Sequence, residues 1–155
     1  VASGKWHDRS ILISAPITAG LTYYLARDWM VTGIITGSYL LGGMYLSPDL
    51  DLKSKPFYRW GILRWIWKPY QKLIPHRGRF FNRNPLSHAP FIGTALRVSY
   101  LLLLCSIPVI LSGMDTSFRQ WVTKNYLSVF WVLIGIELSG LTHLLMDVSC
   151  TNLKK

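Results

Sequence analysis

Four apolar runs divide the chain, at residues 11–26, 29–46, 90–111 and 126–146. They are uniformly apolar rather than one-sided: a stretch such as YLLLLCSIPVIL has no polar face to turn to water. A membrane-spanning helix needs about 20 apolar residues, with a floor near 17. The first two runs are marginal by that measure, and the first carries Pro16 and Gly20. The last two are comfortable, although Arg97 interrupts one and Glu137 and His143 the other. The pattern predicts an all-α fold, a four-transmembrane-helix bundle in one membrane-embedded domain over 1–155. A soluble helical core is the competing reading, and the uniformity of the runs argues against it.

Composition supports lipid as the solvent. Half of the 155 residues are hydrophobic and 15% are charged, where a soluble domain carries about 25%. The net charge of +10 suits nucleic acid only in a more polar chain, so no nucleic-acid partner is expected. Basic loops of a membrane protein explain both numbers. With four spans, both termini and the central loop share one side. Two basic residues near the N-terminus, nine in the loop and two at the C-terminus make thirteen of the seventeen. The positive-inside rule then places that side in the cytoplasm. The polar opening VASGKWHDRS does not read as a secretory leader. Cys105 and Cys150 have no partner at motif spacing, so neither a disulfide nor a thiolate metal site is expected.

The loop contains PFYRWGILRWIWKPYQKLI, residues 56–74. Arg64, Lys68 and Lys72 are four apart and fall on one helical face. The segment predicts an interfacial amphipathic helix between helices 2 and 3, its aromatic side in the headgroup layer and its basic side towards anionic lipid phosphates. Gly33 and Gly37, then Gly42-Gly43, predict close helix approach within the bundle. Arg97 and Glu137 lie at depth in their spans and are expected to pair with each other.

The histidines and acids carry the chemistry. His7 and Asp8 stand before the first span, and Asp49 and Asp51 after the second. His76 and His88 lie before the third, and His143 and Asp147 close the fourth. All eight fall at one membrane boundary in the four-span topology. His143 and Asp147, spaced i, i+4, share a helix face and can present imidazole and carboxylate to one ion. Asp49 and Asp51, two apart, face one way if that segment is extended. His7, Asp49, Asp51, His76, His88, His143 and Asp147 are the expected metal ligands. A divalent metal is implied, zinc by preference, as one ion or two. Paired ions suit phosphoester hydrolysis, with Asp51 as base or as an orienting carboxylate and Arg77 gripping a phosphate oxygen.

Several motifs together resemble a family of small membrane proteins, common in cyanobacteria, described as metal-binding. They are Ser3-Gly4-x-x-His7-Asp8-Arg9, Pro48-Asp49-Leu50-Asp51, the segment from Trp65 to His76-Arg77, Leu86-Ser87-His88, Gly93-Thr94-x-x-Arg97 and Glu137…His143-x-x-x-Asp147. A wider resemblance is to inner-membrane metal-dependent hydrolases. More distantly, the order His, Asp, His, then His-x-x-x-Asp is similar to zinc-dependent phospholipase C and the single-strand-specific zinc nucleases. Residues 78–85 set His76-Arg77 and Ser87-His88 further apart than in the closer family, and Trp6 is internal where the phospholipases use an N-terminal tryptophan.

The resemblance implies metal-assisted hydrolysis of a phosphoester, with a lipid headgroup as substrate, at the cytoplasmic or stromal face of a plasma or thylakoid membrane. The rival expectation is a non-enzymatic subunit or assembly factor of a larger membrane complex, such as a photosynthetic complex.

Overall fold

A computed structural model describes residues 4–74 and 85–152. Among the described residues there are helices and no strands. Helix α1 covers Gly4–Ala26 and α2 Trp29–Tyr45. A 3-10 turn follows at Pro48–Asp51, then α3 (Lys55–Arg59), a second 3-10 stretch (Gly61–Ile66) and α4 (Trp67–Leu73). Beyond the segment 75–84 come α5 (Pro85–His88), α6 (Ile92–Leu111), α7 (Asp115–Lys124) and α8 (Tyr126–Asn152).

The four apolar runs are thus four long helices, with boundaries that differ in instructive ways. Helix α1 begins before its apolar run, so His7 sits in its first turns rather than ahead of it. Arg27, at φ 53°, breaks the chain between α1 and α2, and Asp28 caps α2 by accepting from the amides of Met30 (2.7 Å) and Val31 (3.1 Å). The polar helix α7 has no buried residue, and no apolar run announces it. Two helices, Ile92–Leu111 and Tyr126–Ser149, are long and apolar enough to cross a membrane. With 17 residues, α2 stands at the lower limit of length.

Helix α2 is the centre of the packing, against α8 on one side and α1 on the other. Gly135 of α8 lies so close to α2 that a Cβ there would run into the Ile35 carbonyl oxygen and stand 2.9 Å from the Tyr39 amide nitrogen. A Cβ on Gly42 would meet the Ile136 Cα at 2.9 Å. The glycine contact expected of α2 is therefore made by Gly42, with Gly43 against Ile11. Gly33 and Gly37 face open space. The reason is partner choice: the close approach needs a small residue on the facing helix, and α8 supplies Gly135 and Ser139 further along α2. Tyr39, 1% exposed, ties the three helices together by bonding to Ser14 of α1 and Thr142 of α8.

The segment 56–74 is not one amphipathic helix. Pro56 starts α3, and Gly61 at φ 55° ends that helical stretch in a conformation that disfavours side chains. Three short pieces result, and their turning sorts the aromatics. Phe57, Trp67 and Tyr70 turn inward with Leu50 and Ile74 into a core that packs on Leu96, Tyr100 and Leu101 of α6. Tyr58, Trp65, Ile62 and Leu63 stay exposed. The loop is thus a folded plug that joins the Pro48–Asp51 turn to α6.

The glycine contacts yield a stability test. Gly135→Ala should cost about 1–3 kcal/mol, the usual penalty of overpacking, because backbone atoms of Ile35 and Tyr39, which cannot swing aside, stand in its way together with the Ser38 hydroxyl. Gly33→Ala and Gly37→Ala should leave the Tm unchanged or raise it, since helix propensity favours alanine. Thermal unfolding in detergent measures both, and equal losses at all three positions would refute the assigned contact.

Candidate metal centre

Four separate segments deliver the site. His7 comes from the first turns of α1, Asp49 from the 3-10 turn after α2, His88 from the end of α5, and His143 and Asp147 from α8. His143 Nε2 lies 3.4 Å from Asp49 Oδ1 and 3.6 Å from Asp147 Oδ2. His88 Nε2 is 3.5 Å from the same Asp49 oxygen, and His7 Nε2 is 3.4 Å from Asp147 Oδ1. The rings of His7 and His143 stack with centroids 3.9 Å apart.

These separations are informative. They are longer than a good N–H···O bond, about 2.7–3.2 Å. They match the ligand–ligand edge of a tetrahedral ion, which at a metal–nitrogen distance of about 2.0–2.1 Å comes to about 3.3 Å. His143 Nε2, in a side chain 4% exposed, makes no hydrogen bond of its own. Among the described residues, two groups of three donors have spacing that fits a metal ion: His7, His143 and Asp147, and Asp49, His88 and His143. One imidazole nitrogen holds one ion, so the two groups either form a single centre or compete for His143. Donors of this kind, imidazole and carboxylate without thiolate, suit zinc, iron and manganese.

A set of neighbours fixes the donors. Ser47 Oγ sits 3.3 Å from His143 Nδ1. By accepting a hydrogen bond from the Nδ1–H it would hold the proton on Nδ1 and leave Nε2 free for an ion. The Ser87 hydroxyl donates to the Pro48 carbonyl at 2.6 Å, tying the residue before His88 to the residue before Asp49. Arg97 Nη1 in turn donates to the Ser87 carbonyl at 2.9 Å. Glu137 accepts from the Phe91 amide at 3.0 Å, where the chain turns at φ 62°.

The expected Arg97–Glu137 ion pair is therefore not what these groups form. Each braces the α5–α6 connection through a backbone atom. The connection there exposes backbone polar groups that no helix satisfies, and these compete successfully for both side chains.

Five of the seven expected ligands are brought together, namely His7, Asp49, His88, His143 and Asp147. Asp51 is buried nearby but belongs to neither group. The 3-10 turn explains this: at three residues per turn, positions two apart point in different directions, whereas an extended segment would have aligned Asp51 with Asp49. Asp8 is drawn instead to Arg59 and Lys55. His76 and Arg77 lie outside the described residues. Ser47, Ser87 and Arg97 were not assigned to the site from the sequence, although Ser87 adjoins His88 and Ser47 opens the Pro-Asp turn.

Burial pushes the Asp49 carboxyl up, but the imidazoles of His143 and His88 set against it outweigh burial and hold it well below the usual carboxylate range. A carboxyl depressed in the fold contributes stability above its unfolded pKa of about 3.9, which is lost as pH falls through the lower folded value. Asp49 thus stays ionised across the range in which imidazoles titrate.

The fold and this centre define a class: an all-helical protein with a His/carboxylate metal-binding site at the ends of its long helices. The model of the family described as "Uncharacterized metal-binding protein (DUF2227)" matches residues 2–155, and the chain belongs to that family. A similar chain is a protein of Aquifex aeolicus (strain VF5) named only "Uncharacterized protein". It is 29% identical over 133 residues, covering 76% of this chain and 89% of the relative. No solved structure matches.

Metal content tests the site. His143→Ala, which removes the donor shared by both groups, should abolish stoichiometric metal in the purified protein, while Asp8→Asn should leave it intact. Occupancy of the wild type should fall as pH is lowered, because protons compete with the ion for the imidazole and carboxylate donors. Elemental analysis across a pH series reads both, and a His143→Ala variant that keeps its metal would disprove the assignment.

Proposed function

We propose that the protein is a membrane-embedded, metal-dependent phosphoester hydrolase, with α1, α2, α6 and α8 crossing the bilayer and the metal centre at the cytoplasmic end. The observation that carries this reading is the convergence of two imidazoles, His7 and His88, and two carboxylates, Asp49 and Asp147, on His143. Structural zinc is usually held by cysteine-rich sets, whereas His/carboxylate sets are typical of catalytic zinc. Asp49, whose side chain is 23% exposed, gives the centre its most open side. A divalent ion, zinc by preference, would supply Lewis acidity and a polarised water.

The protein's own groups would set up that chemistry. Ser47 would orient His143, and Asp49 stays ionised to offset the ion's charge. Ser87 and Arg97 would keep His88 in register with Asp49. The ends of apolar helices are where a bilayer presents phosphate groups, which favours a lipid phosphoester as substrate.

Membrane embedding has its own support. The outer faces of α6 and α8 are apolar and largely exposed, with only 11% and 28% of their most apolar windows buried. A core helix of a soluble protein is covered. With Cys105 and Cys150 replaced by serine, single-cysteine variants at Lys53 and Lys124 should label from opposite faces of sealed membrane vesicles. Labelling of both from one face would exclude the four-span topology.

One observation favours a second reading, a non-enzymatic subunit whose ion clamps the helix ends within a larger complex: His143 and Asp147 are 4% and 2% exposed. Turnover separates the two. Zinc-loaded protein in detergent should hydrolyse bis(p-nitrophenyl) phosphate or phosphatidylglycerol. Chelation should stop the reaction, and His143→Ala should lower it at least about a hundredfold, the scale expected when a catalytic ion's ligand is lost. Stoichiometric metal with no turnover of either substrate, and a Tm that drops on chelation, would establish the clamp.

A further inference from the structure

The basic residues of the loop divide into two kinds. Lys55 and Arg59 share one carboxylate partner, Asp8. Arg64 and Lys68 are half-buried, yet among the described residues neither they nor Lys53 has a carboxylate partner. They meet aromatic rings instead. The Arg64 guanidinium lies 5.5 Å from the Tyr58 ring centroid and 5.7 Å from that of Trp65, and Lys68 Nζ lies 4.6 Å over Trp65.

Lys53, Arg64 and Lys68 line one cleft of about 150 Å³ with Phe57, Tyr58 and Trp65. Three cations therefore face one small space that, among the described residues, no acid lines. Half-burial of an unpaired cation is unfavourable, and cation–π contact offsets only part of it, about 0.5–1 kcal/mol at exposed sites. An anion in the cleft would complete the charge balance. The rim shows which anion fits. Trp65, which lines the cleft, is 57% exposed, and Ile62 and Leu63, which precede Arg64 in the chain, are 88% and 61% exposed. Apolar residues and tryptophan next to lysine and arginine suit the headgroup layer, where rings enter the bilayer boundary and cations meet phosphates.

We propose that this cleft binds the phosphate of an anionic phospholipid headgroup, with Lys53, Arg64 and Lys68 as its cationic walls and the Ile62-Leu63 rim inserted among the acyl chains. The site is separate from the His/Asp centre and does not depend on that centre being catalytic. The lipid would hold the folded loop against the membrane surface.

The test uses the full chain in dodecyl maltoside, titrated with a fluorescent phosphatidylglycerol and, in parallel, with the phosphatidylcholine analogue. Phosphatidylglycerol should bind more tightly, because the choline cation cancels the phosphate charge. Arg64→Gln should weaken it about fivefold, and the triple variant Lys53→Gln, Arg64→Gln, Lys68→Gln about a hundredfold, from about 1 kcal/mol per charge. Metal content, which reports the fold, should be unchanged in these variants. Lys72→Gln, a basic neighbour that does not line the cleft, should have little effect, and excess inorganic phosphate should not displace the lipid. Any of three results would overturn the proposal: a Lys72→Gln loss as large as that of Arg64→Gln, equal binding of the two lipids, or displacement by free phosphate.

Discussion

The contact between the backbones of α2 and α8 governs everything else in the molecule. Where Gly135 meets Ile35 and Tyr39, and Gly42 meets Ile136, the helices approach more closely than side chains would permit. Close approach fixes their relative register, because no sliding is possible without driving backbone into backbone. Ser47 follows Gly42 by five residues and His143 follows Gly135 by eight, so the same contact brings Ser47 beside the His143 ring. Small residues at a helix interface are the usual means of association in lipid, where apolar side chains gain nothing by leaving the solvent.

The metal centre is then assembled from helix ends, with polar braces that hold each end in place. Ser87 joins α5 to the Pro48–Asp51 turn, and Arg97 holds Ser87 from α6. Such buried polar groups cost free energy unless each is partnered, so the arrangement is stable only as a whole. This explains why Arg97 and Glu137, deep in apolar helices, need not neutralise each other. Backbone groups left open by the sharp turn at Phe91 give both a use that a direct ion pair would forfeit.

The loop between α2 and the segment 75–84 has a comparable division of labour. Its inward aromatics, above all Trp67 and Tyr70, bury themselves against Tyr100 and bind the loop to α6. Its outward aromatics keep company with Arg64 and Lys68. Arg59, between these two sets, pairs with Asp8 and so fastens the loop to the start of α1, next to His7. Loop and metal centre therefore share their supports without sharing side chains.

The sequence by itself determined the four long helices, because a long, uniformly apolar run offers its backbone groups no polar partners but one another, and a helix satisfies them within the run. It also determined the chemistry of the site. His143 and Asp147 share a helix face by spacing alone, and His7, Asp49 and His88 could be placed at the same end from the order of runs and loops. Local backbone choice lay beyond its reach. A 3-10 turn in place of an extended segment separated Asp51 from Asp49, and a left-handed glycine divided what had the periodicity of a single helix. Partner choice lay beyond it too. Asp8 had ligand chemistry but found Arg59, and Gly33 and Gly37 had the right spacing but no helix opposite. Such outcomes depend on which groups compete for the same few ångströms, and only the tertiary structure brings the competitors together.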